Sequence, residues 1–161
     1  METDVSHAVE RAEGSNPLQG SWHLVCWDIQ YSDGRPATLP FGADATGLLC
    51  YTDDGRMSAC IARAERPALS QDSPRNAPDA ERLAAFESYF QYAGRYRLEQ
   101  EGTGQQVVHE VTHALNPNFV GSRQVRQVEL APDGRLTLSA TDALQGGSVQ
   151  RRHRLVWERR T

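Results

Sequence analysis

From Gly20 onward, apolar and polar residues alternate in short segments separated by turn signals, the pattern of an all-β chain. Segments at 20–31, 46–52, 56–63, 93–100, 106–114, 122–130, 135–141 and 148–159 read as strands. One stretch breaks the rhythm. Pro78-Asp79-Ala80-Glu81 opens a helix running to about Gln91, on which Leu83, Phe86 and Phe90 recur at helical spacing as a core-packing face. The connections around Asp53-Asp54-Gly55, Glu101–Gly104 and Ala131–Gly134 are short and carry hairpin chemistry, whereas 32–45, 64–92, 115–121 and 142–147 are longer. Short and long connections alternate. In an up-and-down antiparallel barrel of eight strands, with one helix between strands three and four, that places the tight turns at a closed end and the long loops at an open mouth. Eight strands are enough to hold one small ligand.

Length and charge narrow the classes. The 161 residues suffice for one domain with its own core, read as 20–161 behind a flexible, polar tail over 1–19. A net charge of −4 speaks against binding a phosphate backbone, so no nucleic-acid partner is expected. No apolar run reaches membrane-spanning length, and the first residues lack the layout of a signal peptide. Cys26, Cys50 and Cys60 form no framework spacing, which points to a reducing, cytoplasmic setting. All 17 basic residues are arginine, removing lysine Schiff-base and P-loop chemistry and fitting a GC-rich bacterial genome. There is no GxSxG elbow, and no GxGxxG follows a strand, so no cofactor is expected.

Period-two alternation assigns side chains to the barrel interior. With Trp22 inward, Leu24, Cys26, Asp28 and Gln30 follow it on the first strand. On the fifth, His109, Val111 and His113 point in; on the sixth, Gln124, Arg126, Val128 and Leu130; on the eighth, Arg151, His153, Leu155 and Trp157. Trp22, Leu130 and Trp157 gather at the closed end, and the ionisable groups lie above them. Asp28 is a desolvated acid or base, a salt-bridge partner of Arg126 or Arg151, or part of a strand end already in solvent. His109 is either a proton shuttle or a satisfied interior polar group. An interior Arg126 needs an anion or several acceptors, from a ligand or from Asp28 or Glu110. Cys26, Tyr96, His113, Gln124 and His153 complete the candidate pocket, with Phe119 covering it from the Asn116-Pro117-Asn118-Phe119 turn. His109 and His113 are about 13 Å apart along a regular strand, too far to share a metal ion.

Gly20-Ser21-Trp22 resembles the Gly-x-Trp that opens the first strand of lipocalin and calycin barrels. GLLCYTDDGRMSA at 47–59, YAGRY at 92–96, LNPNFVG at 115–121, QVRQVEL at 124–130 and RLVWER at 154–159 extend the match to a bacterial and fungal lipocalin-like domain family. The resemblance implies a lipocalin-like barrel with a small-molecule pocket, but no single reaction. Related barrels act as carriers, and some as cyclases or isomerases in natural-product pathways. Two functions follow as expectations. One is a cofactor-independent cyclase or isomerase of an apolar, oxygenated molecule in bacterial secondary metabolism, with His109, Arg126 and Asp28 catalytic. The other is a non-catalytic carrier with the same pocket. Either works as a monomer or homodimer. Metal analysis of protein purified without added metal is expected to give substoichiometric amounts; stoichiometric zinc lost on mutating His109 or His153 would overturn the metal-free reading.

Overall fold

The computed structural model describes residues 14–160. Eight strands close into an antiparallel barrel in chain order: β1 (Gly20–Tyr31), β2 (Thr46–Tyr51), β3 (Arg56–Ala62), β4 (Tyr89–Glu101), β5 (Gly104–Ala114), β6 (Arg123–Leu130), β7 (Leu136–Ala143) and β8 (Gln150–Glu158). One α-helix, α1 (Asp79–Glu87), sits between β3 and β4. Each strand pairs with its sequence neighbours, and β8 returns to β1 from His23↔Glu158 to Tyr31↔Arg151. No sheet edge is left unpaired.

The base of the barrel is filled by apolar side chains. Trp22, Leu49, Leu136 and Trp157 are almost wholly buried there, with Leu18 beneath them. Trp22 Nε1 donates to the Leu18 carbonyl at 2.8 Å, and the Arg159 guanidinium covers the indole at 4.0 Å from its centroid. Leu18 and, through its bond to Tyr96, Asn16, which the sequence places in a tail, therefore hold to the base; residues 1–13 of that tail lie outside the described residues. Leu130, placed by alternation with the base, is exposed at the end of β6.

The helix is shorter than its hydrophobic period suggests. It ends at Glu87, where the backbone N–H of Ser88 bonds the Ala84 carbonyl, and Tyr89 pairs with Ala62 as β4 begins. Strand pairing overrides helical periodicity. Phe90 joins the barrel wall, and Leu83 and Phe86 are left exposed instead of forming a core face.

Two β-bulges change which side chains enter the barrel. In β1, Leu24 pairs with Trp157 and Cys26 with Val156, leaving Val25 extra. In β5, Val111 pairs with Gly94 and His113 with Ala93, leaving Thr112 extra. Each extra residue inverts the alternation beyond it. At the second bulge a Cβ on Gly94 would lie 1.9 Å from the Glu110 carbonyl oxygen, so only glycine fits without moving the backbone. Gly94→Ala is expected to lower unfolding stability by about 2–3 kcal/mol, the upper part of the usual overpacking cost, read from the urea midpoint. An unchanged midpoint would show that the bulge is not held by this glycine.

Candidate functional site

A cavity of about 590 Å³ occupies the barrel at the end carrying the long connections. That size suits a small organic ligand. Its walls differ in character. Trp27 from β1, Phe90 from β4 and Phe119 from the β5–β6 connection supply aromatic surface, while Gln124 and Arg126 from β6, Asp142 from β7, and Arg151 and His153 from β8 supply polar groups. The rings hold one another: Trp27 and Phe90 lie 6.3 Å apart, and Phe90 meets Phe119 edge-on at 5.6 Å. The Trp27 indole N–H is buried and has no hydrogen-bond acceptor among the described residues.

The polar wall contains three arginines in different states. Arg151 makes a two-pronged contact with Asp142 at the mouth, Nε–Oδ1 2.9 Å and Nη2–Oδ2 2.7 Å, which holds the Asp142 carboxyl below its ordinary pKa. Arg123 reaches Glu99 at 3.4 Å. Arg126 has no carboxylate partner among the described residues. Its Nη1 donates to the Val125 carbonyl at 2.8 Å and its Nη2 to Gln124 Oε1 at 3.2 Å. Gln124 is itself fixed by donating from Nε2 to Ser122 Oγ at 2.9 Å. A guanidinium carries five N–H donors, so Arg126 keeps donors in reserve. His153 stands at the same wall, its Nε2 3.9 Å from Asp142 Oδ1; burial lowers its pKa.

Beside this wall lies a buried polar chain. His109 on β5 is almost wholly enclosed; its Nε2 is 2.8 Å from the Tyr51 hydroxyl and its Nδ1 2.7 Å from the Tyr92 hydroxyl. Burial, helped by the Arg126 charge, pulls the His109 pKa down to about 3, so the ring is neutral at physiological pH. Burial raises the pKa of both Tyr51 and Tyr92, which keep their protons.

Of the sequence candidates, Arg126, Gln124, His153 and Phe119 line the cavity, and His109 adjoins it. Asp28 and Cys26 do not enter it. The bulge at Val25 turns them outward and brings Trp27 in. Asp28 pairs with Arg154 outside the barrel, Nη2–Oδ2 2.7 Å and Nε–Oδ2 3.1 Å, not with Arg126 or Arg151. The Cys26 thiol points to Asp28 at 3.9 Å, and burial, followed by that carboxylate, raises its pKa, the opposite of an activated nucleophile. The bulge at Thr112 likewise turns His113 to the exposed face, beside the Thr112 hydroxyl at 2.9 Å. Tyr96 is inward but low: its hydroxyl donates to the Thr52 carbonyl at 2.8 Å and accepts from Asn16 Nδ2 at 2.7 Å, away from the cavity. Sequence reasoning missed Trp27 and Tyr51, read Phe90 as helix core and Tyr92 only as an edge of the mouth, and did not foresee that both tyrosines bond His109. Gly94 inside β4, opposite the Thr112 bulge, was the available signal for the shifted parity of β5.

The buried imidazole makes stability pH-dependent. Its folded pKa lies below the ordinary histidine value, so the unfolded chain takes up the proton first. The contribution is fully present at neutral pH and is lost as pH falls from about 6.5 toward 3, at up to about 1.4 kcal/mol per pH unit. Urea unfolding between pH 6.5 and 4.5, above most carboxylate titrations, is expected to show this slope in the native protein. His109→Gln should flatten it, leaving the smaller His153 contribution; an equal slope in both would refute the assignment.

The family model of the lipocalin-like domain matches residues 19–160. The chain is also similar to a 4'-hydroxy-3'-methoxypropiophenone carrier protein of Aspergillus oryzae, 29% identical over 107 residues, covering 64% of this chain and 96% of the relative. With a closed eight-stranded barrel over the matched residues, the chain belongs to the lipocalin-like domain family.

Proposed function

We propose that the barrel binds a flat aromatic molecule bearing a carbonyl or phenolic oxygen and acts as its carrier. The observation that carries this reading is Arg126, a cavity guanidinium with no carboxylate partner among the described residues, in a cavity otherwise walled by Trp27, Phe90 and Phe119. The rings suit an aromatic body. The spare Arg126 donors suit an oxygen, which they would hold without the cost of an unmatched interior charge. The relative's name, that of a carrier for an aromatic ketone with a phenolic group, supports the same chemistry. On this reading the domain over 20–161 works in the cytoplasm without metal or cofactor, as a monomer or homodimer.

A cyclase or isomerase is the second reading, favoured by the capacity of Arg126 to stabilise an enolate oxygen. His109 is then not the base, because a group with a pKa of about 3 is a weak proton acceptor at neutral pH. The proton would pass to His153 at the mouth. The two readings separate on one incubation: a carrier returns a 4-hydroxyphenyl ketone unchanged, and an enzyme does not.

Titration of that ketone, followed by quenching of Trp27 fluorescence or by calorimetry, is expected to show binding to one site. Arg126→Leu should weaken it by about 1.5–3 kcal/mol, the range for hydrogen bonds to a charged group, which is roughly ten- to 150-fold in Kd. Equal affinity in the variant would sink the assignment of Arg126 as the ligand's anchor.

A further inference from the structure

The three groups Tyr51, His109 and Tyr92 carry more protons than they can share. Each phenol brings one O–H, and a neutral imidazole brings one N–H and one acceptor nitrogen. Two contacts join the three groups, and each uses one proton. Whichever nitrogen carries the hydrogen, one tyrosine donates to the ring and the other accepts from it. The accepting tyrosine keeps its own O–H free. Protonating the ring would free both. Neither hydroxyl has another hydrogen-bond partner among the described residues. A buried donor without an acceptor costs about 1–3 kcal/mol, so the chain of groups is built one acceptor short.

Neither tyrosine lines the cavity, but Tyr92 is the one packed against rings that do. The Tyr92 ring stacks on Phe119 with centroids 6.2 Å apart and meets Phe90 edge-on at 5.5 Å, and both of those rings line the cavity. Tyr51 instead packs at 4.6 Å against Tyr96, whose hydroxyl is engaged at the base. Arg126 pairs with Val107 across β5 and β6, and His109 with Gln124, so Arg126 is a diagonal neighbour of His109 on the inner face.

We propose that His109 is a positioning residue that carries its hydrogen on Nδ1, accepts from Tyr51 at Nε2, and thereby turns the Tyr92 hydroxyl proton toward the cavity to bind, with Arg126, an acceptor oxygen of the ligand. This deepens the reading of the cavity as a site for an aromatic ketone and rests on it. It names the recognised group: a carbonyl or oxyanion held by one neutral and one charged donor. A ligand of the same shape without that oxygen leaves both donors unmatched and is rejected.

The test has two arms. In the first, long-range nitrogen–proton correlation spectra of the ¹⁵N-labelled native protein at pH 7 read the His109 tautomer. Hydrogen on Nδ1 is expected; hydrogen on Nε2 overturns the proposal, whatever the barrel binds. In the second, the native protein, Tyr92→Phe and Tyr51→Phe are titrated with 4-hydroxyacetophenone and with 4-ethylphenol, which differ by the carbonyl oxygen. Tyr92→Phe is expected to cut the preference for the ketone by about five- to tenfold, and Tyr51→Phe, which removes the donor that holds the tautomer but leaves the Tyr92 hydroxyl in place, to cut it by less. Loss in Tyr51→Phe alone, or in neither, overturns the proposal. If the native protein binds neither compound, the aromatic-ketone reading fails; the proposed ligand contact fails with it, and the spectra then decide only the orientation of the triad.

Discussion

Closure of β8 onto β1 is the constraint on which everything else depends. Once the ladder from His23↔Glu158 to Tyr31↔Arg151 is made, every strand has two neighbours and the sheet has an inside and an outside. Inward side chains then have only two options. At the base they fill the space, as Trp22, Leu136 and Trp157 do. Toward the mouth the strands carry shorter or polar side chains such as Ala140 and Gln124, and a cavity remains. The pocket is thus a consequence of closure combined with an uneven supply of bulk along the barrel axis.

Around the barrel wall, charge is distributed by whether a partner shares the same face. Asp28 and Arg154 meet directly across β1 and β8, and Arg151 and Asp142 meet across β7 and β8. Arg126 faces Val107 across β5 and β6, so its nearest cross-strand neighbour offers no charge. Among the described residues, the register therefore leaves Arg126 as a cavity cation without a carboxylate partner. The same enclosure that makes this useful keeps His109 neutral, because desolvation penalises a second positive charge close to Arg126. His109 is suited to hold hydrogen bonds in place and poorly suited to accept a proton.

Much of this was legible along the chain. The strand segments, the alternation of tight and long connections and the Gly20-x-Trp22 opening depend on local turn chemistry and period-two patterning, and the barrel follows them closely. Arg126, Gln124 and His153 lie in unbulged strands, where parity is preserved from the base to the mouth, and they line the cavity as alternation requires, while Phe119 reaches it from the turn after β5. Asp28, Cys26 and His113 lie beyond a bulge, where the same rule gives the opposite face. Gly94 marks the β5 bulge because its Cβ would collide with the Glu110 carbonyl, whereas the β1 bulge lies in the ladder with β8, opposite Val156 and Trp157, and faces no glycine there. A glycine inside a strand signals that two backbones approach closely, but not which partner strand gains the extra residue.

The sequence by itself determined the class of fold, the direction of each strand and the end at which the cavity opens, because these follow from short-range periodicity and connection length. Only the tertiary structure decided which ionisable groups share an enclosure. The meeting of Tyr51, His109 and Tyr92 joins three strands, β2, β4 and β5, whose register is set by bulges and by barrel closure. That Arg126 has no carboxylate partner among the described residues is likewise a property of its cross-strand neighbour, not of its own segment. Hydrogen bonds and charge pairs act over a few ångströms in space, and a chain pattern that specifies faces cannot specify which residues from distant strands come within that range.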